Sequence, residues 1–311
     1  MGETLTFAAT PDLRLLYAKA LANGGIRRRV AGRPLPEVTA RQPSVLVDRD
    51  RLLDYQRLCG FGASATLPVS YPHLLAFRLQ VAIMSRRDFP LRLLGLVHVE
   101  NSVTWTRPLT LDDVLDLTVH ATCLRGHRRG RLVDLVAEAT CAGAVVWRGV
   151  STYLHRDQGD PAAPAPSAPA PAAPDVEHLT GRPGGVTLRF GAGSGRRYAA
   201  VSGDLNPIHL HPLTARALGF PSTVAHGMYA YARVLAALGP RLPPTGASAV
   251  WFRRPVPLPS SAVLKVSDDA RLVALVPSVG QGAHLVVENH GTRELRTVPC
   301  TAWAGPGTAL G

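Results

Sequence analysis

The two halves of this 311-residue chain resemble each other, and this internal repeat constrains the fold more than any other feature of the sequence. Residues 105–111 (WTRPLTL) match residues 252–258 (FRRPVPL) at an offset of 147. Upstream, residues 55–61 (YQRLCGF) match residues 198–204 (YAAVSGD) at an offset of 143. We therefore expect one fold that is built twice, with the two copies packed together.

Each half shows the same order of predicted elements: a polar turn, one long apolar helix, and three or four alternating strands. The helices begin near His73 and near His226, and positions 228–238 of the second helix hold one charged residue in eleven. Alternating apolar positions predict strands at residues 132–140, 144–153, 272–276 and 284–287. A helix this apolar must be covered on nearly all sides, which predicts an α+β fold with an antiparallel sheet wrapped around each helix.

A linker separates the halves. Residues 161–174 (PAAPAPSAPAPAAP) contain only Pro, Ala and one Ser, a composition that forms extended polyproline segments and cannot bury a core. At about 3.1 Å per residue, the segment can bridge on the order of 40 Å. We therefore expect an N-terminal domain at 1–156, a linker at 157–174 and a C-terminal domain at 175–311.

The formal net charge of +12 favours anionic partners, of which the candidates are nucleic acid, coenzyme A thioesters and acidic carrier proteins. The densest arginine clusters, at residues 27–29 and 128–131, do not alternate with aromatic residues that stack on bases. We therefore expect solvated loops there and no nucleic-acid partner.

Membrane insertion and secretion are not expected from this sequence. No apolar run approaches the roughly 20 residues that span a bilayer, and residues 1–20 do not read as a signal peptide. The cysteines lie far apart without a Cys-x-x-Cys pair, which argues against a zinc ribbon or a disulfide scaffold: Cys59, Cys123, Cys141 and Cys300. We expect reduced thiols and a cytoplasmic protein.

The most selective motif lies at residues 198–228, YAAVSGDLNPIHLHPLTARALGFPSTVAHGM. It resembles the signature of the MaoC-like, R-specific enoyl-thioester hydratases and dehydratases, in which Tyr-x-x-x-Ser-Gly-Asp-x-Asn-Pro-x-His is followed by Ala-His-Gly-Met. The resemblance implies a hotdog fold, a sheet around a central helix, over most of residues 185–303. The first half resembles the degenerate copy found in double-hotdog members of actinobacterial type, which act on fatty-acyl thioesters.

Asp204 and His209 supply the groups that hydration of an enoyl thioester needs. The reaction requires a base for water, a proton for C2 and a donor to the enolate-like oxygen. The two residues lie five positions apart with an Asn-Pro turn pair between them, so both can face one water. The sequence does not decide which of them deprotonates water. We assign the oxygen donor to the backbone N–H of Gly227, in the first turn of the buried helix.

Other residues of the motif have supporting roles. Ser202 and Gly203 form the turn before Asp204, and Asn206 either orients the loop and the dyad or is only a turn residue. His226 is either a packed histidine at the helix start or a third catalytic group.

His211 stands where the family usually has aspartate, which puts the capping of a helix at residues 213–218 in doubt. His209 and His211 have metal-ligand spacing, but no Cys or carboxylate completes a site, so no metal is expected. Residues 191–195 (GAGSG) lack a complete dinucleotide fingerprint and a following helix pattern. We expect a loop there and no cofactor.

The first half lacks the dyad. Phe61 stands where Asp204 would, and the segment from residue 60 to residue 73 is ten residues shorter than the one from 203 to 226. Loss of this loop either leaves room for an acyl chain against the first helix or makes the first half a structural partner alone.

These observations predict a lyase, a (3R)-3-hydroxyacyl-thioester dehydratase or enoyl hydratase of fatty-acid or related acyl metabolism, with one active site per chain. The alternatives are a hotdog thioesterase, which needs a carboxylate on or beside the central helix, and a non-catalytic acyl-thioester binding protein. Acyl chain length, the carrier (coenzyme A or acyl carrier protein), the physiological direction and the oligomeric state, a monomer of two hotdogs or a homodimer of these, stay open.

Overall fold

The computed structural model describes residues 2–22, 34–156 and 173–291. The elements of the first half are β1 (Glu3–Thr6), α1 (Leu13–Ala22), β2 (Val38–Val45), α2 (Arg49–Cys59), α3 (Tyr71–Met84), β3 (Leu96–Trp105), β4 (Leu115–His127), β5 (Gly130–Cys141) and β6 (Ala144–Arg156). Those of the second half are α4 (Glu177–Thr180), β7 (Val186–Phe190), α5 (Ser194–Ser202), α6 (Pro212–Ala217), α7 (Gly227–Leu238), β8 (Gly246–Phe252), β9 (Ser260–Val266), β10 (Leu272–Pro277) and β11 (Leu285–His290), with 3₁₀ turns at Pro207–His209 and Gly239–Arg241.

The strands of the described residues join one eleven-stranded sheet in the order β1-β2-β4-β5-β6-β3-β8-β11-β10-β9-β7. The halves meet where β3 pairs antiparallel with β8, and Ser102 lies opposite Ala249 in this register. These two residues are separated by the same 147 positions as the sequence repeat, so an approximate twofold axis passes between them. The double hotdog is confirmed, with the refinement that the two expected sheets are one continuous sheet.

The two predicted central helices are α3 and α7, and both are buried nearly all round. A single hydrophobic core contains residues of both helices and of the strands in both halves. Helix α7 carries one charged side chain, Arg233, and ends at Gly239, whose φ of 52° is a left-handed conformation that favours glycine. The helix was predicted to begin near His226 and begins at Gly227.

The four predicted strands are confirmed as β5, β6, β10 and β11. The loop predicted at residues 191–195 is present at residues 191–193, but the prediction was wrong for residues 194 and 195. Helix α5 begins at Ser194 and continues through Gly195 to Ser202. A Cβ at Gly195 would overlap the carbonyl oxygen of His209, so glycine is required for close packing of the helix. Glycine has a low helix propensity, so a glycine that packing requires at this position made the segment look unlike a helix in the sequence.

Most of the linker and the first arginine cluster lie outside the described residues. Ala173 and Pro174, at its end, accept hydrogen bonds from Arg253 Nη2 at 3.4 and 3.2 Å. The division into two domains therefore stays a prediction.

The expectation of four reduced cysteines was wrong for Cys123, which is disulfide-bonded. Cys59 and Cys141 are free. Disulfide pairing depends on which residues meet in space, and the spacing of cysteines along this chain did not indicate it. Within the part of the chain that the structure describes, no helix is both long and apolar enough to cross a membrane.

Candidate active site

Helix α5 and the turn after it present Asp204. The helix ends at Gly203, whose φ of 79° turns the chain away from the helix. Ser202 Oγ donates to the carbonyl oxygen of Tyr198 at 2.8 Å and accepts from the N–H of Asp204 at 3.1 Å. Ser202 and Gly203 therefore hold the backbone that carries the carboxylate, as the sequence predicted for this turn.

Asn206 is the cap of the 3₁₀ turn that carries His209. Its Oδ1 accepts a hydrogen bond from the N–H of Ile208 at 3.4 Å. Its own N–H donates to Asp204 Oδ1 at 3.1 Å. Asn206 thus caps the turn that carries His209 and also holds the carboxylate of Asp204, so its position fits both roles considered for it.

His209 is buried and is held by one ring nitrogen. Its Nδ1 lies 2.8 Å from the carbonyl oxygen of Val224, and because a carbonyl only accepts, Nδ1 carries the proton. Burial lowers the pKa of His209, while the charge of Asp204 acts in the opposite direction. The ring is therefore neutral at pH 7, and Nε2 has a lone pair that can accept a proton.

His226 completes a cluster with Asp204 and His209. It is the residue before the first turn of α7, its ring stacks on that of His209 with centroids 3.7 Å apart, and its Nε2 donates to the backbone carbonyl of Asp204 at 3.1 Å. The same Nε2 lies 3.9 Å from Asp204 Oδ2. Burial and the neighbouring His209 lower the pKa of His226 well below its usual value. His226 thus packs at the helix start and also borders the carboxylate.

The ligand-type atoms of Asp204, His209 and His226 all lie within 4.8 Å of one another. One water can hydrogen-bond to the carboxylate and to an imidazole across such a distance. The same three groups have the chemistry of a divalent-metal site, although one ring nitrogen of each histidine is already bound to a backbone carbonyl. The side chain of Asp204 is 25% exposed, so the cluster can be reached from solvent.

His211 does not join this cluster. It is the cap of α6, and its Nδ1 accepts a hydrogen bond from the N–H of Leu213 at 3.2 Å. His211 therefore caps α6 in place of the aspartate that is usual in the family, which answers the question about the capping of this helix. The rings of His209 and His211 hydrogen-bond to different backbone groups, the carbonyl oxygen of Val224 and the N–H of Leu213.

Gly227 is the first residue of α7, where backbone N–H groups have no partner within the helix. A Cβ at this position would lie 3.0 Å from Cε1 of Phe252, so a larger residue would have to displace that ring. The N–H groups and the positive end of the helix dipole favour an oxyanion there.

Sequence reasoning missed Tyr17, which belongs to α1 in the first half. Its hydroxyl donates to Asp204 Oδ1 at 3.3 Å across 187 positions of sequence. Residues 13–22 (LRLLYAKALA) carry no motif, and only the tertiary structure shows the contact. In the first half, the residue equivalent to Asp204 is Phe61, which has no carboxylate. Its ring stacks on that of Tyr55 with centroids 6.1 Å apart.

The sequence of this chain is similar to a protein family and to several known proteins. Residues 185–272 match the family described as MaoC like domain. The 3-hydroxyacyl-thioester dehydratase X of Mycobacterium tuberculosis is 36% identical over 238 residues, which cover 75% of this chain and 81% of that protein. The (R)-specific enoyl-CoA hydratase of Aeromonas caviae is 34% identical over 80 residues, which cover 24% of this chain and 60% of that protein.

Solved structures extend the similarity to both halves. The crystal structure of HtdX of Mycobacterium tuberculosis superimposes with a TM-score of 0.70 at 32% identity, covering 81% of this chain and 99% of that chain. A MaoC-like dehydratase from Phytophthora capsici, with a TM-score of 0.64 at 18% identity over 86% of this chain and 97% of that one, shares the fold. Since the similarity in sequence covers four fifths of a curated relative, 81%, and includes the turn with Asp204 and His209, the chain belongs to the MaoC-like dehydratase family.

Proposed function

We propose that this chain catalyses the reversible addition of water to 2-enoyl thioesters and the dehydration of (3R)-3-hydroxyacyl thioesters. One observation carries the proposal: Asp204 and His209 converge beside the start of the buried helix α7, whose first residue is Gly227. Two groups that can accept a proton, the carboxylate of Asp204 and the ring of His209, therefore lie near an N–H donor at the helix start. The names of the relatives, a 3-hydroxyacyl-thioester dehydratase and an (R)-specific enoyl-CoA hydratase, support the same reaction.

In hydration, a water held between the carboxylate of Asp204 and Nε2 of His209 loses a proton to one of them while its oxygen bonds to C3. The electron pair of the double bond moves toward the thioester oxygen, which accepts a hydrogen bond from Gly227 N–H. The proton then passes to C2, so both hydrogens of the water end in the product. Removing such an oxyanion donor typically costs about 3 kcal/mol of barrier. Dehydration follows the same steps in reverse.

The division of labour between the halves is also a proposal. Phe252 lies against Gly227, and its ring contacts that of His98 in the first half with centroids 5.2 Å apart. An acyl group bound at Gly227 therefore lies close to the first half, which supports a role in holding the acyl chain. The positive charge of +12 supports an anionic carrier, either coenzyme A or acyl carrier protein. The cytoplasmic location and the absence of a cofactor stay predictions.

A direct assay tests the function. With crotonyl-CoA, we expect the enoyl absorbance to fall with no release of free thiol, and chiral analysis to give the (3R)-3-hydroxy product. Thiol release would identify a thioesterase, although α7 (GMYAYARVLAAL) contains no carboxylate to attack the thioester. Binding without any reaction would identify an acyl-thioester binding protein. A panel of chain lengths on both carriers then defines the substrate.

A further inference from the structure

Tyr17 brings a hydroxyl from the first half to the carboxylate of the second. Asp204 Oδ1 accepts two hydrogen bonds, from Tyr17 at 3.3 Å and from the N–H of Asn206 at 3.1 Å. With Oδ1 occupied in this way, Oδ2 is the oxygen that faces His226, at 3.9 Å from its Nε2. The pair of donors therefore fixes the orientation of the carboxylate and leaves Oδ2 as the oxygen on the side of His226.

The helix that carries Tyr17 is anchored to both halves. Arg78 of α3 donates from Nη1 to the carbonyl oxygen of Pro11 at 3.0 Å, just before α1. Leu13, at the start of α1, is buried against Gly203, where an added Cβ would overlap its Cδ1. Such anchoring holds Tyr17 at a fixed distance from the carboxylate.

A second contact secures the same turn. Arg51 of α2 donates from Nε and Nη2 to the carbonyl oxygen of Val201, at 2.8 and 2.6 Å. The first half therefore contacts the chain around Asp204 at three neighbouring positions: 201, 203 and 204.

The tyrosine is suited to donate at any pH at which the enzyme would work. Burial and the charge of Asp204 raise the pKa of Tyr17 well above its usual value. The phenol keeps its proton, and a hydrogen bond to a charged group is stronger than one between neutral groups.

We propose that Tyr17 is a positioning residue of the hydratase site, which orients the carboxylate of Asp204 and makes the first half part of the active site. This inference rests on the proposed function. It goes beyond the dyad because the residue acts through Asp204, comes from the other half of the repeat and has no counterpart in the signature at residues 198–228.

The test is Tyr17→Phe, which removes only the hydroxyl. We expect kcat for crotonyl-CoA hydration to fall about 10-fold, since the variant loses a hydrogen bond to a charged group. KM should change less than about 2-fold and Tm should stay close to that of the wild type, because the ring keeps its packing. Equal kcat values for Tyr17→Phe and the wild type would overturn the inference.

Tyr55→Phe is the matched control. It removes a buried hydrogen bond of the first half, between the Tyr55 hydroxyl and Ser70 Oγ at 2.8 Å, and this hydroxyl has no hydrogen bond to Asp204. This variant should lower Tm and leave kcat unchanged. If both variants lowered kcat in parallel with Tm, Tyr17 would be structural only.

A double-mutant cycle provides a readout that does not depend on stability. In an Asp204→Ala background, Tyr17→Phe should cost less than about 2-fold, because the acceptor is gone. A full 10-fold loss there would show that Tyr17 does not act through Asp204. A wild-type chain that is inert on all thioesters would overturn the proposed function together with this inference, whereas an active wild type with an active Tyr17→Phe variant overturns the inference alone.

Discussion

The two halves share a framework and differ in what is built on it. In each half a helix ends at a left-handed glycine, Gly60 with φ 88° and Gly203 with φ 79°, and the next residue is partly buried. In the first half that residue is Phe61, and α3 begins ten residues later, at residue 71. In the second half it is Asp204, and 22 further residues that include His209 precede α7 at residue 227. The glycine and the buried helix therefore belong to the fold, whereas the longer loop of the second half carries the residues of the proposed dyad.

The first half is not an apolar copy of the second. His73, near the start of α3, lies 3.5 Å from Ser151 Oγ, and the same hydroxyl accepts from Asn101 Nδ2 at 2.9 Å. Tyr153 donates to Gln80 at 2.8 Å within the same buried region. Burial lowers the pKa of His73 to about 4, and the charge of Asp204 acts in the opposite direction. Each half thus holds a neutral, buried histidine near the start of its central helix.

Removing the dyad gives the largest expected effect and tests whether turnover belongs to the second half alone. Asp204→Asn and His209→Ala should each lower kcat for crotonyl-CoA hydration at least about 100-fold, within the usual range for a lost acid or base. Phe61→Leu, at the equivalent position of the first half, should leave kcat within about 2-fold. Near-normal turnover in a folded dyad variant would remove the mechanistic assignment.

Buried histidines predict an acid-sensitive fold. Unfolded histidine titrates near 6.5, so below that pH the unfolded chain binds a proton that folded His73, with its pKa of about 4, does not bind. The free energy of unfolding should therefore fall as pH drops from about 6.5 to about 4, by about 3 kcal/mol for this residue, and then level off. Urea unfolding across this range should show a shallower slope for His73→Gln. Parallel curves for the variant and the wild type would contradict this account.

The two glycines allow the halves to be compared at one backbone position. Gly203→Ala and Gly60→Ala should each cost about 1–2 kcal/mol of stability, because an L-residue is strained in a left-handed conformation. An added Cβ at Gly60 meets only Arg233 Nε at 3.8 Å, whereas at Gly203 it overlaps Leu13. Only Gly203→Ala should therefore also lower kcat, about 5-fold, by displacing α1 and Asp204. Equal kcat values for the two variants would show that the packing of α1 against Gly203 does not affect catalysis.

Cutting the linker should have the smallest effect. With a protease site placed in residues 161–174, cleavage should leave the halves in one peak on size-exclusion chromatography and leave kcat unchanged. The reason is that six residue pairs between β3 and β8, from Glu100 opposite Trp251 to Trp105 opposite Gly246, and a shared core join the halves. The control is the chain without the inserted protease site, treated with the same protease. Separate elution of the halves would mean that the tether holds them together.

The sequence alone predicted the features that depend on residues close together along the chain. Asp204, His209 and the start of α7 lie within one 31-residue motif, and the alternation that predicted β5 and β10 is local as well. The repeat predicted the double architecture, because an offset that recurs in two motifs requires one fold built twice. Local patterning also predicted helix α7 to within one residue of its start.

The tertiary structure decided what depends on residues far apart in sequence. The pairing of β3 with β8, the stacking of His226 on His209, the Cys123 disulfide and the hydroxyl of Tyr17 beside Asp204 have no signature in their own segments. Gly195 gave a misleading local signal, since its role is to let α5 pack against the backbone of His209. These contacts depend on how distant segments pack against each other in shape and hydrogen bonding. The spacing of residues along the chain does not show which segments will meet.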